Sequence, residues 1–157
     1  MTRLTAAIAL AALALSDPAA ARDSLGVYSS WAAFRDADQP RCYAIAKPRN
    51  GKGSFASIAT WPKQRLRNQV HLRLSRTVGD TGATLRIGDR RFALPTRGRD
   101  AWAQDSRMDA AIVAALRSAT AMSVTGRDTS GRRFTDRYAL AGAATAIDAA
   151  VVGCANL

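Results

Sequence analysis

The chain has 157 residues and carries 23 Lys or Arg against 12 acidic residues, a formal net charge of +11. That length suits one domain with a core of its own and excludes two comfortable ones, while the charge points to anionic partners or to solubility. One histidine and two cysteines leave few ligands for a transition metal, so neither a metal nor another cofactor is expected.

Residues 1–21 open with a basic Met1–Arg3, continue through the apolar Leu4–Leu15 and end in Ala19-Ala20-Ala21. This is the pattern of a signal peptide, with cleavage expected before Arg22 and residues 22–157 forming one mainly β domain. The apolar run is shorter than the ~20 residues a spanning helix needs, so no transmembrane span is expected after cleavage. The expected location is the periplasm or cell envelope.

Leu25–Phe34 has a β-rich composition and predicts one strand; Asp36–Pro40 breaks it, and Cys42–Ala46 predicts a second. Phe55–Trp61 reads as extended and ends at Pro62, which cannot donate to a ladder. From Leu66 to Leu74, Leu66, Asn68, Val70, Leu72 and Leu74 alternate with Arg67, Gln69, His71 and Arg73, which predicts one buried and one wet face. Gly88-Asp89 suits a tight hairpin between Thr84–Ile87 and Arg90–Leu94, placing Ile87 opposite Arg90, Arg86 opposite Arg91 and Leu85 opposite Phe92.

A helix is expected from about 107 to 119, with Ser106-Arg107-Met108-Asp109 as a capping-box-like start and Met108, Ala111, Ile112, Ala115, Leu116 and Ala119 on one face. Met122–Thr125 and Arg133–Tyr138 form a second hairpin around the loop Gly126–Gly131. Ala143–Val152 predicts a second helix with Ile147, Val151 and Cys154 on one side. In an oxidising compartment the two cysteines pair, so a Cys42–Cys154 disulfide is expected to pin this helix to the Cys42 strand. The expected fold is mainly β (α+β): an antiparallel sandwich or barrel-like sheet with two short peripheral helices.

Trp31 followed by Cys42, the helix-then-strand unit Ile112–Val124, and Asp136–Gly142 leading into Ala146-Ile147 give the chain its likeness to a family. On these residues it resembles the invasion-associated locus B proteins of alphaproteobacteria, as a distant or divergent member. The resemblance implies an envelope-located, mainly β domain without an established catalytic mechanism, and it carries over no functional residue.

The residues themselves present no catalytic constellation. His71 lies between Arg67 and Arg73 on the wet face with no carboxylate at an adjacent same-face position, so nothing there orients it as a base. The best candidate is a surface that binds anions, made of Arg67, His71, Arg73, Arg86 and Arg91. Arg86 and Arg91 stand opposite each other, and a bound anion would relieve their repulsion. The expected function is that of a non-catalytic envelope protein binding anionic envelope polymers or lipids; nucleic acid is not expected. A hydrolase with a dispersed Asp or Ser site would instead show a deep pocket with two carboxylates. A structural partner of another envelope protein would show an exposed apolar patch of several hundred Å².

Overall fold

Two antiparallel sheets and two short helices make up the fold in a computed structural model, which describes residues 22–36, 38–51 and 53–155. The predicted leader lies outside the described residues. The larger sheet contains β1 (Arg22–Tyr28), β2 (Trp31–Asp36), β3 (Arg41–Ala46), β4 (Phe55–Trp61), β5 (Leu66–Arg73), then β9 (Asp100–Trp102) and β8 (Thr96–Arg97), in that spatial order. The smaller sheet runs β11 (Arg133–Ala139), β10 (Ala121–Asp128), β6 (Val78–Ile87), β7 (Arg90–Leu94). Helix α1 spans Ser106–Ser118 and α2 spans Ala143–Gly153. This is the expected mainly β, sandwich-like α+β architecture. No helix among the described residues is long and apolar enough to cross a membrane.

The period of two in a strand decides what each face carries. On the larger sheet the row Trp31, Ala46, Ala56, Leu72, Ala101 and the row Ala33, Ala44, Ile58, Val70 point inward. Small alanines on β2, β3 and β4 leave room for α2, which packs on the first three strands through Ala143, Ala146, Ile147 and Ala150. On the smaller sheet Leu85, Ile87, Phe92, Leu94, Met122, Val124 and Tyr138 point into the same core. Ile112 and Leu116 of α1 are buried there, each worth about 1.5–3 kcal/mol. The expected disulfide joins Cys42 of β3 to Cys154 just after α2. Its loop spans a sequence separation of 112 residues, for which the chain-entropy account gives about 4–5 kcal/mol.

The Gly88-Asp89 hairpin has the expected register, residue for residue. Elsewhere the chain departs from its local signals. Leu25–Phe34 is a hairpin, not one strand, because Ser29 turns with φ 54° and the chain doubles back as β2. The alternation of β5 holds from Val70 onward but not at Leu66, which is 39% exposed. Arg65 and Asn68 both take positive φ there, which breaks the pleat. Helix α1 is capped by Asp105, whose carboxylate accepts from the Met108 amide at 2.8 Å. Asp109 instead accepts from the Val70 amide at 2.8 Å and ties α1 to β5. The second hairpin zips up past its expected loop, pairing Gly126 with Phe134 and Arg127 with Arg133. Asp128 organises the shortened turn by accepting from the amides of Ser130 and Arg132. On α2, Val151 faces outward at 39% exposure while Ile147 and Cys154 are buried.

The sheets are joined at their ends. Gly142, at φ 85°, caps α2 where a Cβ would collide with the Tyr28 carbonyl, so the chain can pass only as glycine. The Trp31 indole N–H donates to the Ala139 carbonyl at 3.0 Å. Along β11, the Asn50 side chain donates to the Thr135 carbonyl and accepts from the Arg137 amide, and the Arg49 amide donates to the Arg137 carbonyl.

Candidate functional site

The five residues of the expected anion surface do not share a face. His71 and Arg73 point outward from the larger sheet, whereas Arg86 and Arg91 point outward from the smaller one. Arg67 is exposed at the irregular start of β5, beside Leu66 and Arg65.

His71 is more occupied than its sequence neighbours suggest. Pairing of β9 with β5 sets Trp102 opposite His71 and Asp100 opposite Arg73. The His71 Nε2 lies 2.9 Å from Asp100 Oδ1, and Arg73 reaches the same carboxylate at 3.2 Å. A carboxylate therefore does stand beside His71, contrary to the reading from β5 alone; it comes from a strand almost thirty residues away. The imidazole stacks on Trp102, with centroids 5.5 Å apart and planes at 14°, and Phe55 meets its edge. Ser57 is the ladder partner of His71 on β4, but no hydrogen bond joins its hydroxyl to the ring. The contact that would activate a serine nucleophile is not made.

Around Phe34 and Tyr43 the outer face of the larger sheet is aromatic, and Arg22 and Arg41 are engaged there. Phe34 and Tyr43 pack at 5.8 Å, and Arg41 stacks over Tyr43 and Trp61 at 4.8 and 5.1 Å. Asp36 bridges Arg22 and Arg41, whereas Asp23 pairs with Arg35 on the other face of the sheet, in register with Cys42.

The smaller sheet is different. Its pairing places Arg91, Arg86, Ser123 and Arg137 in one row across four strands. With about 4.8 Å between strands, the row spans roughly 14 Å. The segment before Asn50 adds Arg49 at its end. Arg49, Arg86 and Arg137 converge on an open cavity of about 580 Å³ whose wall also includes Ser118, Thr120 and Ser123. None of the four arginines forms an ion pair with a carboxylate among the described residues. The next row is Ala93, Thr84, Thr125 and Thr135, small and hydroxylated, so nothing hinders access. The C-terminus of α1 ends at the cavity with about half a negative charge, far less than three guanidinium groups supply.

Arg86 and Arg91 were legible as a pair because a two-residue turn fixes their register. Arg137 and Arg49 were not, since their place depends on β10 lying between β6 and β11. Among the described residues no group of three or more His, Cys, Asp or Glu side chains could hold a metal ion. Comparison with protein-family models, curated proteins and solved structures finds no match.

Proposed function

We propose that this protein is a non-catalytic component of the cell envelope that binds phosphate-bearing polyanions on the outer face of its smaller sheet. The observation that carries this reading is the row of Arg91, Arg86 and Arg137, extended by Arg49, without a carboxylate partner among the described residues. Unpaired guanidinium groups side by side repel one another, and a multiply charged anion removes that cost while accepting forked hydrogen bonds. The serine and threonine hydroxyls around the cavity supply further donors. The site has cations and hydroxyls but no general base, which favours holding a ligand over converting one. Export and kinship with the invasion-associated locus B proteins belong to the same proposal, resting on the leader pattern and on the residues given above.

Binding to purified lipopolysaccharide at low and moderate salt tests it. Attraction by net charge alone weakens in salt equally for any variant of the same charge, since screening sets in beyond about 10 Å at 0.1 M. Arg86→Ala/Arg137→Ala should lose at least tenfold in affinity, and Arg65→Ala/Arg107→Ala, which removes two exposed arginines elsewhere, should lose little. Equal losses in the two variants would reduce the basic row to overall charge.

A further inference from the structure

On the opposite side of the molecule, the outer face of the larger sheet holds an open groove of about 1030 Å³. Its apolar surface comes from Val27, Ala32, Phe34, Ile45 and Phe55, one or more from each of β1 to β4. Val27, Ala32 and Ile45 are successive partners across the ladder, and the small Ala32 between two larger side chains makes the depression. The loop carrying Gly51, Gly53 and Ser54 forms one wall. Val27 is 73% exposed, a large apolar side chain left in water at the mouth.

We infer that this groove is a second binding site, which takes a single anionic acyl-chain amphiphile. Volume and lining suit it, since sites for small ligands run from about 300 to 1,000 Å³ and are mostly apolar with a few charged groups. The charge is complementary: Lys47 and Arg73 line the groove, and no acidic residue does. Arg73 already shares the Asp100 carboxylate with His71 through contacts of 3.2–3.3 Å, and at 41% exposure its remaining N–H groups stay open to a second acceptor. The chain would lie along Ile45 and Phe55, with the headgroup at Arg73 and Lys47. This site shares no residue with the basic row of the smaller sheet, so either can fail without the other.

The experiment is calorimetric titration of the purified protein with lysophosphatidylglycerol below its critical micelle concentration, beside lysophosphatidylcholine of the same chain and glycerol phosphate. Saturable binding of the first, at least tenfold weaker binding of the zwitterion and none of the chainless phosphate are expected. Ala32→Trp fills the depression on an outward position and should abolish binding, with an unchanged thermal midpoint as the check on folding. Lys47→Glu should weaken the anionic amphiphile at least fivefold and leave the zwitterion unaffected. Arg86→Ala/Arg137→Ala should bind the amphiphile as the unsubstituted protein does. Equal affinity for both headgroups, unchanged affinity in Ala32→Trp, or binding only above the micelle threshold overturns the inference. So does dimerisation in sedimentation that Ala32→Trp abolishes, which would assign the groove to a second protein copy.

Discussion

The outer faces of the two sheets both carry arginines and use them in opposite ways. On the larger sheet Arg22, Arg41 and Arg73 lie over aromatic rings or meet Asp36 and Asp100, while Lys47 and the remaining N–H groups of Arg73 stay open beside an apolar groove. On the smaller sheet Arg86, Arg91 and Arg137 stand among serine and threonine and meet no carboxylate among the described residues. Net charge alone would treat the faces as equivalent. What separates them is where the strands place a few aspartates.

The largest effect that would break this picture concerns the two sides of one strand. Leu72→Asp puts a charge into the core, where Leu72 is 1% exposed, and should cost at least about 4 kcal/mol or unfold the protein; Gln69→Asp on the other side should leave it folded. Thermal unfolding decides it, and similar losses would mean the larger sheet has no outer face. A smaller effect compares the outer faces directly. Ile45→Asp should cost about 1–2 kcal/mol because a partly buried apolar side chain is lost, and Thr84→Asp should change stability by no more than about 0.5 kcal/mol. In binding, Thr84→Asp should weaken the polyanion while Ile45→Asp leaves it unaffected.

The smallest effect is a pH dependence at the β10–β11 turn. Burial pushes the Asp128 carboxyl up, but the amides of Arg132 and Ser130 and the Arg132 guanidinium outweigh it and hold it below the ordinary value. A depressed carboxyl stabilises the fold above its unfolded pKa of about 3.9, and that contribution fades as pH falls through this range. Asp128→Asn should therefore be less stable than the unsubstituted protein at pH 6, with the gap narrowing by pH 3. Urea midpoints at the two pH values measure this, and a gap that widened in acid would contradict the assignment.

Local chemistry made part of this molecule legible in its sequence. Gly88-Asp89 dictates the register of β6 and β7, Val70 to Leu74 alternate because one face is buried, and two cysteines leave one pairing within the chain. The sites were only half legible, for the converse reason. Asp100 reaches His71 because β9 joins the edge of β5, and Arg137 joins Arg86 because β10 lies between their strands. Such pairings depend on loop closure over tens of residues, and no residue type at either end specifies the partner. The division of Leu25–Phe34 was hidden because Ser29 turns without the usual glycine or asparagine.

A protein built mainly from strands must also avoid polymerising through its sheet margins, where free backbone groups invite another chain. Three of the four margins carry familiar deterrents: a register shift near Gly26 in β1, arginines on β7 and a β8 only two residues long. The fourth, β11, is long and regular, and there the Asn50 amide occupies a carbonyl and an amide that a neighbouring molecule would otherwise engage. One side chain thus acts as a false strand. The margin of β11 is covered in part by a residue that contributes to neither the core nor the proposed binding site.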